Sequence, residues 1–203
     1  MTDIAAAQSS RELIAEHARI LFEEHGYSGT SVRQIAAAAG VDPSLAIRHF
    51  GSKEGLFLTV IGLEGYISPP LEGPVESLGH RLAEFVLAPE NLDFRIRLST
   101  LVRASDREAV REGLRLTVRR MFIDRLVDIM PGEEREARAL LISAQLGGVV
   151  QAAVHANSEL LESAESHRLV ELFGRSIQAL IEPDTLGRAD EAKQPDEKRA
   201  AHD

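Results

Sequence analysis

The amino-acid sequence predicts an all-α protein with a small N-terminal three-helix unit followed by a larger helical bundle. Three observations support this fold class. Apolar residues recur at helical spacing from Leu13 onward. Serine and aspartate residues stand where helix caps are expected, before one apolar segment after another. The sequence also lacks a run of alternating residues typical of a β-strand.

The composition limits which classes of function are available. The chain has 203 residues, a net charge of −9 and no cysteine, which excludes disulfides, thiolate metal sites and a cysteine nucleophile. The negative net charge argues against binding of nucleic acid over the whole surface, but it permits a small, local nucleic-acid site. The first ten residues lack a signal-peptide pattern, and we find no apolar stretch long enough to span a bilayer. We therefore expect a cytoplasmic protein without membrane contact.

Two capping boxes open the first two predicted helices. Ser9 is followed three residues later by Glu12, and Ser31 is followed by Gln34 at the same spacing. In such a box the two side chains satisfy backbone N–H groups that the first helical turn leaves free. Gly26 is predicted to stop the first helix in a left-handed conformation that glycine tolerates best.

The second and third helices meet at a tight corner. The alanines at 36–39 lack bulk, so the third helix can cross close to the second, and Gly40 makes the turn. Asp42 caps the third helix, Pro43 occupies its first turn, and the helix ends near Phe50. Two short helices at such a corner are typical of a helix-turn-helix. The alternative is an ordinary helical hairpin in a small core.

The remaining chain predicts longer helices and a polar tail. Ser52 caps a fourth helix, and a Gly- and Pro-containing stretch from Gly65 connects it to the bundle. Bundle helices are predicted over about 75–88, 92–104, 106–130, 133–160 and 166–182. After Glu182 the charged sequence predicts a disordered tail. The predicted units are therefore residues 1–62, 63–182 and 183–203.

The stretch GYSGTSVRQIAAAAGVDPSLAIRHFGSKEGLF, residues 26–57, resembles the DNA-binding domain of the TetR family of bacterial transcriptional regulators. The similarity covers roughly residues 10–60. It rests on the Gly-Tyr after the first helix, the Thr-Ser-Val that opens the second, the Ala-Gly-Val turn and the Phe-x-Ser-Lys-Glu exit. The rest of the chain is similar to the family only in its layout.

A helix-turn-helix places its second helix in the major groove of double-stranded DNA. Arg48 can donate two hydrogen bonds to a guanine edge or bind a phosphate, and Lys53 matches the phosphate-binding lysine of the family. Ile47 departs from the resemblance, since the family often has a tyrosine there. Surface solvation is the alternative role for Arg33, Arg48 and Lys53. Thr30 and Ser31 can present hydroxyls and free backbone N–H groups to phosphate, as a helix N-terminus does. The candidate DNA-binding residues are Thr30, Ser31, Arg33, Pro43, Ser44, Ile47, Arg48, His49 and Lys53.

The predicted helix over 133–160 is apolar on nearly all sides and must therefore be buried on all sides. It is either the central helix of a monomeric bundle or part of a subunit interface. The resemblance implies the second, because proteins of this family form homodimers through their last two long helices. The candidate interface residues are Leu140, Leu141, Ala144, Gly148, Gln151, Ala152, His155, Leu169, Phe173, Ile177 and Leu180.

The resemblance also implies a ligand pocket between the helices of residues 75–155. The sequence does not identify the small-molecule effector. The alternative, which the sequence favours for each candidate, is a plain core residue. The candidate lining residues are Phe85, Phe94, Leu98, Val102, Met121, Phe122 and Gln145.

An enzymatic function is not expected. The histidines show no HExxH spacing, and the sequence has no Gly-rich phosphate loop, so we expect no cofactor and no metal. An architectural DNA-binding protein would need a basic surface, which the net charge of −9 opposes. We expect a repressor that a small ligand releases from a palindromic operator. The alternative is a ligand-independent DNA-binding protein controlled by a protein partner.

Overall fold

The computed structural model describes residues 2–63, 69–155 and 166–183. Within these ranges the chain contains no β-strand, which confirms the all-α prediction. Short 3₁₀ turns precede α5 and α6, and a π-helical turn at Arg119–Ile123 joins α7 to α8. The α-helices are α1 (Thr2–Gly29), α2 (Val32–Ala38), α3 (Pro43–Phe50), α4 (Lys53–Ile61), α5 (Leu78–Leu87), α6 (Leu92–Arg103), α7 (Glu108–Val118), α8 (Asp124–Ile129), α9 (Arg135–His155) and α10 (Ser166–Ile181).

The helix boundaries in the N-terminal unit follow local capping chemistry. Ser31 forms the predicted capping box with Gln34, the Asp42 side chain accepts the Ser44 N–H, and Ser52 caps α4. Gly26 has the expected positive φ, 70°, where it interrupts the regular helix of α1. These caps confirm the predicted α2, α3 and α4.

One predicted feature differs from the structure, and two others lie outside the described residues. Helix α1 begins at Thr2, so the predicted start at the Ser9 capping box is wrong. The preceding Ala5-Ala6-Ala7 run favours continued helix because alanine has the highest helix propensity. Residues 156–160 of the predicted α9 and the predicted tail after residue 183 lie outside the described residues.

The first core joins α1–α4 to the bundle. Phe22, Tyr27 and Phe57 form an aromatic cluster whose ring centroids lie 4.9–6.1 Å apart. Leu101 of α6 and Val110 of α7 are buried in the same cluster. The three-helix unit therefore packs directly on the helices that follow it.

The second core lies among α5, α8, α9 and α10, where α5 and α10 cross at two glycines. A Cβ atom on Gly79 would lie 2.4 Å from the Gly174 carbonyl oxygen and 2.6 Å from the Gln178 nitrogen. The Gln178 side chain accepts the Gly79 N–H at 2.7 Å and donates to the Val75 carbonyl at 2.9 Å. The absence of side chains at the crossing allows this backbone contact, which the sequence analysis did not identify.

We expect Gly79→Ala to destabilise the fold, because its new methyl group meets backbone that cannot move aside. Overpacking of this kind costs about 1–3 kcal/mol, and each kcal/mol corresponds to about 2–4 °C in a chain of this size. Thermal unfolding followed by circular dichroism measures the effect. Gly147→Ala is the matched control, since a Cβ there meets nothing within 4 Å. An unchanged melting temperature for Gly79→Ala would contradict the close crossing.

Buried arginines satisfy helix C-termini in the bundle. Arg138 donates to the carbonyls of Leu180 and Ile181 at 2.9 Å, at the end of α10. Arg97 of α6 donates to the Val60 carbonyl of α4 at 2.6 Å and lies 3.5 Å from the Glu23 carboxylate of α1. Each charge is thus neutralised by carbonyl dipoles or a carboxylate, as burial requires.

Helix α9 is long and apolar enough to cross a bilayer by length and composition alone, contrary to the sequence expectation. A core helix of a soluble protein has the same properties. Only 28% of its most apolar segment is buried within the described chain. Much of α9 is therefore still available to a partner surface.

Candidate DNA-binding surface and ligand cavity

Helix α3 exposes one face to solvent, and that face carries both polar and apolar side chains. Ala46 is buried beneath the helix, whereas Pro43, Ser44, Ile47 and Arg48 are exposed. The exposed fraction of Ile47 is 44%, which is high for an isoleucine without a partner. These side chains form a continuous surface at the start and middle of the helix.

The cap of α3 fixes the orientation of its first turn. The Asp42 carboxylate accepts the Ser44 N–H at 2.8 Å and the Ser44 hydroxyl at 2.5 Å. These hydrogen bonds lower the pKa of Asp42. The Ser44 oxygen keeps acceptor capacity on the exposed face.

Helix α2 contributes Arg33, which is exposed, and Ser31, whose hydroxyl is bonded to Gln34 at its N-terminus. The Thr30 side chain is only 3% exposed and donates to the carbonyls of Leu21 and Gly26 at 2.9 Å. Its backbone N–H donates to Tyr27. The expectation that Thr30 presents its hydroxyl and N–H to phosphate is therefore wrong.

The imidazole of His49 turns partly inward. Its Nε2 atom is buried without a hydrogen-bond partner within the described chain, and the ring lies edge-on to Phe50 at 6.4 Å. On the other side, the Arg11 guanidinium of α1 lies 5.0 Å from the Phe50 ring centroid. The sequence analysis did not identify Arg11, which packs on the last residue of α3.

Lys53 stands over an aromatic ring at the start of α4. Its Nζ atom lies 4.0 Å from the Tyr27 ring centroid, and the Tyr27 hydroxyl donates to the Glu54 carboxylate. Burial lowers the pKa of Lys53, while the neighbouring Glu54 opposes that shift. The hydrogen bond from Tyr27 lowers the pKa of Glu54. This packing holds the ammonium at the N-terminal end of α4.

A cavity of about 240 Å³ lies between α5, α6, α7 and α9. Phe85 and Phe94 pack against each other on one side, with tilted rings whose centroids lie 5.1 Å apart. The structure places every predicted pocket residue around this cavity except Gln145. The lining residues are Leu63, Pro69, Leu82, Phe85, Val86, Phe94, Leu98, Val102, Leu114, Thr117, Val118, Met121, Phe122, Ser143, Leu146, Gly147 and Val150.

Gln145 is corrected as a pocket residue because its side chain faces α10, where its Oε1 atom lies 3.4 Å from the Ser176 hydroxyl. The side-chain polar groups in the lining are the hydroxyls of Thr117 and Ser143. The lining contains no charged side chain among the described residues. The cavity therefore suits an apolar molecule with few polar atoms.

An exposed apolar stripe runs along the outer side of α9. Leu140 and Leu141 are 59% and 52% exposed, and Leu172 of α10 is 49% exposed. Ala144, Gly148 and Ala152 continue the stripe with small exposed residues. A Cβ atom on Gly148 would meet nothing within 4 Å of its own chain.

Several predicted interface residues also make contacts within their own chain. Gln151 accepts the Ser99 hydroxyl of α6 at 3.0 Å, and the His155 Nε2 atom lies 2.9 Å from the same hydroxyl. Ile177 is fully buried, so its predicted contact with a partner is wrong. The partly buried residues of α10 that pack against the second core are Leu169, Phe173 and Leu180.

Two family models match the chain. One, described as bacterial regulatory proteins of the tetR family, matches residues 14–60. The other, described as a tetracyclin repressor-like C-terminal domain, matches residues 76–181. Together they cover the helix-turn-helix, most of the cavity lining and both helices of the exposed stripe.

Curated relatives are similar over part of their length. The chain is 46% identical over 52 residues to the HTH-type transcriptional repressor AcnR of Corynebacterium glutamicum, a match that spans 26% of this chain and 28% of that protein. It is 30% identical over 141 residues to the HTH-type transcriptional regulator HbdR of Aromatoleum sp., spanning 69% of this chain and 58% of that protein. The matched region thus covers well under two thirds of either relative.

A solved structure is similar over nearly its whole length. The crystal structure of a TetR-family regulator from Streptomyces coelicolor A3 is 30% identical, with a TM-score of 0.55. The similarity covers 86% of this chain and 95% of that one. Both halves of the fold are therefore shared.

Proposed function

Because the chain belongs to the TetR family of bacterial regulatory proteins, we propose that it is a homodimeric, sequence-specific repressor that a small ligand releases from a palindromic operator. The observation that carries the DNA-binding part is the exposed face of α3, with Ser44, Ile47 and Arg48 side by side. A helix-turn-helix places this face against base edges in the major groove. The proposed site of action is the cytoplasm.

The local charge supports a focused contact with DNA. Residues 27–53 carry Arg33, Arg48 and Lys53 against Asp42, although the whole chain has a net charge of −9. Cations near the groove contact phosphate and release counterions, so binding weakens as salt rises. The acidic remainder of the protein disfavours binding elsewhere along its surface.

The exposed stripe of α9 and α10 supports a dimer. An apolar strip with leucines more than half exposed is costly in a monomer. A second copy that covers it with its own α9 and α10 forms a two-fold interface, and a two-fold protein binds a DNA site with inverted symmetry. The small residues Ala144, Gly148 and Ala152 allow the two helices to approach closely.

The cavity supports ligand control over control by a protein partner. Helix α6 lines it with Phe94, Leu98 and Val102. The same helix holds the end of α4 through Arg97 and the Val60 carbonyl. A ligand that shifts α6 therefore acts on α4. A coupling of about 1–3 kcal/mol changes the affinities for DNA and ligand by about 5–150-fold each.

Arg48 and Lys53 are expected to differ in what they contribute to binding. Arg48→Ala should cost about 1–3 kcal/mol on the best DNA site and relax the preference at one base position. Lys53→Ala should weaken all sequences alike and reduce the salt dependence by about one phosphate contact. Binding titrations on the best site, on single-base variants and at several salt concentrations measure both effects.

Arg175→Ala is the matched control, since Arg175 is exposed on α10, away from α3. It should leave DNA binding unchanged. Equal losses on every sequence for Arg48→Ala and Lys53→Ala would assign Arg48 to phosphate rather than to a base.

A further inference from the structure

A groove between α4 and α7 lies next to the cavity. Leu58, Thr59 and Gly62 form its α4 side, and α7 approaches so closely that a Cβ atom on Gly113 would lie 3.0 Å from Leu58. The groove and the cavity share three lining residues, Leu63, Leu114 and Thr117. The two spaces therefore adjoin along one wall.

The groove carries a positive charge where the cavity carries none. Its described lining has Arg120 as its one charged side chain and no carboxylate. Arg120 lies three residues after Thr117, within the π-helical turn whose Met121 and Phe122 line the cavity. Irregular turns of this kind are frequent at functional sites because they redirect neighbouring side chains. Here the side chain of Arg120 lines the groove, whereas those of Met121 and Phe122 line the cavity.

We propose that the effector is an amphipathic organic anion, with an apolar body in the cavity and a carboxylate in the groove at Arg120. This inference rests on the proposed ligand control and specifies the ligand's chemical class. A guanidinium matches the two oxygens of a carboxylate. Arg120 also keeps an interaction within its own chain, which a bound carboxylate joins or displaces.

The cavity volume sets the size of the apolar body. An apolar cavity of about 150 Å³ holds one benzene molecule. A volume of about 240 Å³ therefore takes roughly nine or ten carbon atoms by the same proportion. Decanoate, with nine carbons beyond its carboxylate, is a suitable probe.

The groove also gives the anion a direct route to the DNA-binding unit. The carboxylate would lie beside Thr59 and Gly62, at the C-terminal end of α4. That end is the negative pole of the helix dipole, which disfavours a nearby anion. Binding at Arg120 therefore favours a displaced α4, consistent with release from DNA.

The test compares decanoate, decanol and decylamine, each below its critical micelle concentration. Calorimetry measures binding, and a second assay measures release of the protein from its best DNA site, obtained by selection from random double-stranded DNA. On the unmodified protein, decanoate should bind at least tenfold more tightly than decanol, and decylamine should bind most weakly. Arg120→Ala should weaken decanoate at least tenfold and leave decanol unchanged. Arg120→Lys should restore part of the loss.

Arg115→Ala is the matched control, because Arg115 lies on the exposed side of α7, just before the π-helical turn, and lines neither space. It should bind decanoate normally. Equal binding of decanoate and decanol, or an equal loss of both in Arg120→Ala, would overturn the anion while ligand control stands. If none of the three compounds binds, the proposed ligand class is wrong. Ligand control is then tested by a wider compound screen that compares the unmodified protein with Gly147→Leu, a variant whose added side chain fills the cavity.

Discussion

Replacing Gly148 with arginine is expected to convert the dimer into a folded monomer. Gly148 is exposed on α9, and a Cβ atom added there meets nothing within 4 Å among the described residues. In the proposed dimer, however, the same position faces the partner's helix, where a large side chain clashes and its charge is buried without a counterion. An unpaired buried charge costs about 3–5 kcal/mol, which corresponds to a weakening of self-association of over about a hundredfold.

Light scattering measures the mass, and circular dichroism measures the retained helix. A monomer places only one α3 helix on the operator, whereas the dimer places two. Operator affinity should therefore fall as the fraction of dimer falls. Ala109→Arg adds the same charge on the exposed side of α7 and should remain dimeric. A dimeric, folded Gly148→Arg variant would remove this stripe from the interface.

A substitution at the neighbouring Gly147 is expected to leave the dimer intact and to abolish the response to ligand. Gly147 lines the cavity, and a Cβ atom added there also meets nothing within 4 Å. Gly147→Leu should fill much of the 240 Å³ space and raise stability, since replacing a helical glycine gains up to about 1 kcal/mol. Ligand affinity and ligand-induced release should be lost, while dimerisation and DNA binding remain.

Gly147→Ala is the control for helix propensity, because it gains the same backbone stabilisation but leaves most of the cavity open. It should still respond to ligand. The measurement is DNA release by a ligand identified in a screen of small metabolites and lipophilic compounds, together with thermal shift. Unchanged release by Gly147→Leu would place the effector site elsewhere.

Local chemistry explains which parts of the fold were predictable from sequence. The caps at Ser31, Asp42 and Ser52 depend on residues two or three positions away, so a short window contains the whole interaction. The early start of α1 at Thr2 was missed because a plausible cap at Ser9 competed with an alanine-rich segment. The helix propensity of the alanines outweighs the cap pattern, so the helix continues through Ser9.

The wrong site predictions depend on contacts between distant segments. Helix α9 is apolar on most sides, so periodicity could not separate the face toward the cavity from the face toward α10, where Gln145 lies. Ile177 has the same spacing as interface residues but is fully buried in its own chain. The Gly79–Gly174 crossing pairs segments far apart in sequence. No local pattern identifies such a pair.

The buried Thr30 hydroxyl shows a similar limit near the DNA-binding surface. Its position beside Ser31 suggested a phosphate contact, but the chain turns it toward the carbonyls of Leu21 and Gly26. A hydroxyl at a helix N-terminus can face either way, and tertiary packing decides the direction. Arg48, by contrast, is exposed on α3.

Selection of bound sequences from random double-stranded DNA tests the central claim most directly. A homodimer with one α3 in each subunit predicts an enriched site with inverted symmetry, whose half-sites lie about 34–36 Å or more apart on one face of the duplex. The same selection with Arg48→Ala should lose preference at one position in each half-site. Enrichment of a site without inverted symmetry, or of no sequence at all, would contradict a dimeric, sequence-specific regulator.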